Sequence, residues 1–201
     1  MADSRSFFLS FLHIFMLVGL LILQICGQHH NTILKTVSIE DDLFFQILEP
    51  ESLRYLYRVR PAKNFGGSFH KSLHRIPLVP TVPEHGCSPI SNGILIKDNV
   101  ALVLRGGCSF VTKTLNAEAA GAVAVIITDK DVHEDKSMID MIEDGTSRQT
   151  TIPSLFMVGK NGWMIRQKLD EVGVPNAIID IPVNVTFIPN YALNQPPWTF
   201  W

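Results

Sequence analysis

Several groups of residues in this 201-residue chain have the types, and nearly the spacing, to do chemistry. Ser109 and Lys113 are spaced Ser-x-x-x-Lys, one residue wider than the Ser-x-x-Lys pair of acyl-enzyme chemistry. No Gly-x-Ser-x-Gly elbow accompanies them, and Ser109 stands where a helix N-cap is expected. Cys108 lies next to Gly106-Gly107 and ahead of the same helix, a position that favours a thiolate nucleophile. His70 and His74 are four apart, but Lys71 stands where a His-Glu-x-x-His motif needs Glu, and two imidazoles under-coordinate zinc. An acidic interval holds Asp129, Asp131, Glu134, Asp135, Asp140, Glu143 and Asp144. Asp129-x-Asp131 opens like a calcium loop, yet Glu134 takes the position where the loop needs glycine. A solvated acidic loop is the expectation there. Gly106-Gly107 lacks a dinucleotide or phosphate-loop pattern and reads as a tight turn, with backbone amides open to an anion or a peptide carboxylate. No catalytic, cofactor-binding or metal-ligating set is therefore expected.

Other residues point to recognition and to compartment. Asn184-Val185-Thr186 is an N-glycosylation acceptor. Trp198, Phe200 and Trp201 crowd the C-terminus behind Pro196-Pro197. Such aromatics either dock on their own domain or anchor a partner. With the Arg105-Gly106-Gly107 turn they form the candidate interaction surface. At the other end Ile14–Leu23 is an uninterrupted apolar block of signal-peptide length, followed by Cys26-Gly27. Residues 1–27 are expected to be a signal peptide, with an uncleaved anchor as the alternative. Secretion would leave Cys87 and Cys108 as an even pair. Bridging them closes a loop of about 20 residues, a constraint of roughly 3 kcal/mol in the chain-entropy account. Two separate buried thiols are the alternative. Seventeen Lys+Arg against 19 Asp+Glu give a net charge of −2, which excludes a polybasic nucleic-acid binder. An apolar fraction of 46% suits a packed core.

These residues need a scaffold. Leu43–Leu48 and Arg54–Val59 read as strands, the second with one wet face. Prolines 77, 80, 83 and 89 make the next segment extended or looped. Ile94–Ile96 and Val100–Leu104 are apolar runs of strand length. A helix with the stripe Val111, Leu115, Ala119 and Ala122 follows, ended by Gly121, and Ala122–Ile127 is a strand buried on both faces. Ile152–Val158 is another strand. A helix opening at Asn161-Gly162 carries Ile165, Leu169 and Val172, with Gly173 as its left-handed cap, and Ala177–Ile181 closes the pattern. The expected fold is α/β: one domain, a mixed β-sheet core with two strand-helix-strand units.

Ala101-Leu102-Val103-Leu104-Arg105-Gly106-Gly107-Cys108-Ser109-Phe110, with Lys113 behind it, resembles the strand–turn–helix signature of the protease-associated domain family. Gly121–Ile127 and Ile152–Phe156 resemble that family's next two strands, and the likeness spans about residue 40 to 201. It extends to stand-alone secreted members through Leu43–Gln46, Pro61–Gly67, Ile181–Thr186 and Gln195–Trp201. The division expected is a signal peptide over 1–27, a mature N-terminal segment over 28–40, and a protease-associated domain with an aromatic tail over 41–201. The resemblance implies a non-catalytic module that binds ligand or substrate or covers a catalytic domain. The expected function is a secreted, non-catalytic glycoprotein that binds a protein or peptide, with no nucleic acid and no membrane after signal cleavage. The alternative is an accessory or regulatory subunit of a secretory-pathway protease, or a hydrolase itself. A sorting or folding role differs by location, and the chain has no Lys-Asp-Glu-Leu-like ending.

Overall fold

The computed structural model describes residues 42–199. The expected signal peptide 1–27, the segment 28–40, Asp41, Phe200 and Trp201 lie outside the described residues. In chain order the elements are β1 (Leu43–Glu49), β2 (Leu56–Pro61), β3 (Leu73–Pro80), α1 (Gly93–Ile96), β4 (Val100–Leu104), α2 (Phe110–Ala119), β5 (Ala124–Thr128), β6 (Ser154–Met157), α3 (Gly159–Val172) and β7 (Ala177–Ile181).

The strands close into a barrel in the order β1-β2-β6-β5-β4-β3-β7. β3, β4, β5 and β6 run parallel, with Val100 opposite Ala124 and Ile127 opposite Phe156. β1 pairs antiparallel with β2 and β7, and β7 antiparallel with β3. The β2–β6 junction is short: Arg60 faces Phe156 and Pro61 faces Leu155. All seven strands send residues into one cluster, including Phe45, Tyr57, Leu78, Leu102, Ile126, Leu155 and Ile179, which marks the barrel interior. Phe45 and Tyr57 stack there with ring centroids 5.0 Å apart. Ile165 and Leu169 of α3 join this cluster. The alternate residues Val79, Ala101, Val103, Val125, Ile127 and Phe156 form a second cluster outside the barrel with Ile96, Ala117 and Met141. This is why β4 and β5 read as unbroken apolar runs: both faces are covered.

Four expectations need correction. The sheet core is mixed, but it closes as a barrel rather than presenting two strand-helix-strand units. β4 and β5 lie side by side and parallel, with α2 between them in sequence. β6 and β7 are not neighbours: β7 inserts antiparallel between β1 and β3, so α3 carries the chain across the barrel. Ile94–Ile96 is not a strand but the short helix α1, because only Ile96 is buried while Ile94 is 92% exposed. The stripe on α2 is Val111, Lys113, Thr114 and Ala117; Leu115 is half-buried and Ala119 exposed. Polar side chains enter that face because they find carbonyl and hydroxyl partners. α3 starts at Gly159, two residues before the expected Asn161, and Val172 of its expected stripe is exposed, but the α2 cap and the α3 end are as expected. The Ser109 hydroxyl accepts from the Thr112 amide, and Gly173 adopts φ +69° to close α3.

Candidate functional site

The chain leaves β4 through Arg105, Gly106 and Gly107 and enters α2 after Cys108 and Ser109. Gly106 and Gly107 have φ of +111° and +79°, which L side chains rarely adopt. A Cβ on Gly107 would sit 3.1 Å from Cys87 Sγ. Cys87 and Cys108 are joined by a disulfide. The bridge ties the 81–92 loop to the turn, and hydrogen bonds repeat the tie. Leu104 N donates to Glu84 O at 2.7 Å, and Asn116 Nδ2 to Gly86 O at 2.8 Å.

Behind the turn lies Lys113, with no exposed surface. Its ammonium donates to the carbonyls of Gly106 at 2.5 Å and His85 at 2.6 Å, and stands 3.4 Å from Cys87 Sγ. Burial lowers its pKa to about 8. The Ser109 hydroxyl serves the helix end and donates to Asp144 at 2.5 Å, so it forms no pair with Lys113. On the other side of the turn, the Arg105 guanidinium meets Asp129 at 2.5 Å and lies 5.9 Å from the centre of the Phe110 ring. Burial alone would raise the Asp129 pKa; the Asp131 amide and Arg105 outweigh it and hold the carboxyl below its ordinary value.

The acidic interval is committed to partners rather than to one centre. Asp140 meets Lys63 at 2.6 Å and Arg60 at 3.5 Å. Asp144 meets Arg148 at 2.6 Å, and its pKa is held far below the usual carboxylate range, first by Ser109 and then by Thr146. The Glu134 carboxylate accepts from the amides of Lys136 and Ser137. His70 is exposed, and His74 Nδ1 lies 3.7 Å from Asp180. Among the described residues no three His, Cys, Asp or Glu side chains converge as a metal cage.

Of the predicted aromatic tail, Trp198 is described and lies elsewhere, while Phe200 and Trp201 are outside the described residues. Trp198 is half-buried against α3: its Nε1 donates to Asn161 Oδ1 at 3.0 Å and its ring meets Tyr55 edge-on at 5.4 Å. The structure therefore does not bring Trp198 to the Arg105–Gly107 turn by any hydrogen bond or ring contact. Asn184 is exposed, and its side-chain oxygen accepts from the Thr186 amide at 3.0 Å and hydroxyl at 2.6 Å. Between them run Phe187 and Tyr191, 93% and 92% exposed. A separate groove of about 530 Å³ lies beside the β2–β6 junction, lined by Leu43, Phe65, Phe69, Gln149 and Leu155 among others. Its wall needs Gly67, whose Cβ would sit 1.9 Å from Thr151 O.

The sequence reading missed Lys113 as a buried cation, the Arg105–Asp129 pair and the groove. Lys113 lies off the stripe expected from sequence, so its burial was not announced locally. Nothing local announced the pair, whose partners are 24 residues apart.

The PA domain pattern matches residues 75–165, from β3 into α3. The "PRADC1-like protein" of Drosophila melanogaster is 47% identical over 165 residues, 81% of this chain and 84% of that protein. The "ER degradation-enhancing alpha-mannosidase-like protein 3" of Xenopus laevis is 37% identical over 44% of this chain and 10% of its own length. The "Signal peptide peptidase-like 2" of Arabidopsis thaliana is 31% identical over 51% of this chain and 18% of its own length. The chain thus spans most of the first relative and a small part of the other two. By the matched strands, turn and helix, and by identity along most of a relative's length, this chain belongs to the protease-associated (PA) domain family.

Proposed function

We propose that this chain is a secreted glycoprotein without catalysis, a PA-domain module that binds a protein or peptide segment. The observation that carries the reading is the Arg105–Ser109 turn. It exposes Gly107 on a base fixed by a disulfide, a buried ammonium and the Arg105–Asp129 pair. Surfaces held rigid before contact lose little entropy on binding. The Ser109 hydroxyl is occupied as a helix cap, which favours recognition over nucleophilic chemistry at this point. The exposed Asn184 sequon and the apolar block at Ile14–Leu23 support the secretory route.

The test is cross-linked capture from culture medium with the wild-type chain and with Arg105→Ala. A partner retained by the former and lost by the latter supports the reading. No retained partner, or one indifferent to Arg105, overturns it. Secretion and glycosylation are read together: the chain should reach the medium, and Asn184→Gln should remove a glycosidase-sensitive mass. The match to a signal peptide peptidase-like protein supports a second reading, an accessory or regulatory subunit of a secretory-pathway protease or a hydrolase. Turnover of peptide or ester substrates by the purified chain, blocked by serine- or metal-directed inhibitors, would favour it.

A further inference from the structure

The Cys87–Cys108 bridge has a buried ammonium beside one of its sulfurs. Both cysteines are only half-buried, and Gly107, next to Cys108 in sequence and against Cys87 Sγ, is exposed, so a small thiol can approach. Lys113 has no exposed surface, and among the described residues it makes no ion pair. Its ammonium instead points at two carbonyls and, at 3.4 Å, at Cys87 Sγ. Cys108 stands immediately before the Ser109 N-cap of a ten-residue helix. An intact disulfide gains little from a cation beside it, because neither sulfur carries charge. A thiolate gains a great deal, since a buried cation and a helix N-terminus both stabilise negative sulfur.

We propose that Cys87–Cys108 is a redox-labile bridge, opened by a small monothiol or dithiol to leave a Cys87 thiolate paired with the Lys113 ammonium. The incoming thiolate attacks Cys108 Sγ and forms a mixed disulfide there. The Cys87–Cys108 bond breaks, and its electron pair leaves on Cys87 Sγ, facing Lys113. A second external thiolate then attacks the mixed disulfide and departs as the oxidised thiol, and Cys108 takes up a proton from water. Two electrons pass from the external thiols to the bridge. Lys113 is a positioning residue in this exchange: it makes Cys87 the better leaving group, so attack falls on Cys108. Other charged groups face the site more weakly. His85 Nε2 is turned 3.7 Å from Glu84, Arg105 is paired with Asp129, and Asp144 is held by Ser109 and Arg148.

The readout is the thiolate pKa of Cys87 in the full chain carrying Cys26→Ser and Cys108→Ser, followed by ultraviolet thiolate absorbance or by alkylation rate. A free cysteine titrates near ~8.5. The expected value is at least about one unit lower, and Lys113→Met should return it to ~8.5 or above, because one unit is a tenfold change in proton affinity. In glutathione buffers the wild-type bridge should open about tenfold more readily than that of Lys113→Met, a shift of roughly 30 mV for two electrons. If Lys113→Met does not fold, the titration of the chain carrying Cys26→Ser and Cys108→Ser stands alone against the free-cysteine value. An ordinary or raised thiol pKa overturns the proposal, as does unfolding of the reduced chain, which returns the thiol to the ordinary range.

Discussion

The Arg105–Ser109 turn and the segment after β7, residues 182–199, solve opposite problems. The turn shows little apolar surface and is heavily tied: a disulfide, a buried ammonium, an ion pair and a capped helix hold a few residues. The later segment shows two almost fully exposed aromatic side chains, Phe187 and Tyr191, and is tied at separated points. Val183 N donates to Phe44 O, Leu56 N to Asn194 O, and Trp198 Nε1 to Asn161. From Ile181 to Trp201 the chain carries no Asp, Glu, Lys or Arg. Where backbone is shown, rigidity comes from covalent and ionic ties. Where aromatic rings are shown, the ends of the segment are docked and its middle is left to face solvent.

That contrast can be broken at the turn first. Cys87→Ser with Cys108→Ser should cost about 2–5 kcal/mol in urea unfolding, the largest effect expected here. A loss below 1 kcal/mol would mean that the noncovalent ties alone hold the turn. Next comes the tail: Trp198→Ala should cost about 2 kcal/mol, since it strips a half-buried indole from Tyr55 and Asn161. Unchanged stability would show that the segment hangs on its other ties. The third test uses pH. Asp129 is held below its unfolded pKa of about 3.9, so its contribution is present above that value and is lost as pH falls through the lower folded value. Lys113 is shifted in the same direction, in its case because burial penalises the charged form. Its folded pKa of about 8 lies below the unfolded ~10.4, so the unfolded chain binds more protons between them and stability should rise with pH over that window. Asp129→Asn should flatten the acid limb of a stability–pH curve and leave the alkaline limb unchanged. The smallest effect belongs to Phe187→Ala and Tyr191→Ala, each expected within about 0.5 kcal/mol of wild type by thermal unfolding. A larger loss would show that these rings pack on the domain after all.

Much of the scaffold was readable because it obeys local rules. Ser109 caps α2, Gly173 ends α3, and β4 and β5 announce double burial by unbroken apolar runs. Closure of the barrel was not readable, because it depends on β7 pairing with both β1 and β3, distant in sequence and decided by packing. Ile94–Ile96 misled for a related reason: three apolar residues are too few to separate a strand from a helical turn, and Asn92 and Gly93 start the turn. At the site, Gly106, Gly107 and the two cysteines carried their own signals. Lys113 and the Arg105–Asp129 pair did not, since their meaning comes from carbonyls and carboxylates that only folding brings near.

The two-residue junction between β2 and β6 is the narrowest pairing in the ring. Every other pairing in the ring spans at least three residue pairs, and here one of the two positions is Pro61, which has no amide hydrogen to give. Among the described residues, completing the ring leaves no strand edge onto which an extended peptide can zip. The groove lies along this thinnest stitch, with Pro61, Ala62, Ser154 and Leu155 in its wall. A molecule seated there would span the seam and act as a clasp on the barrel.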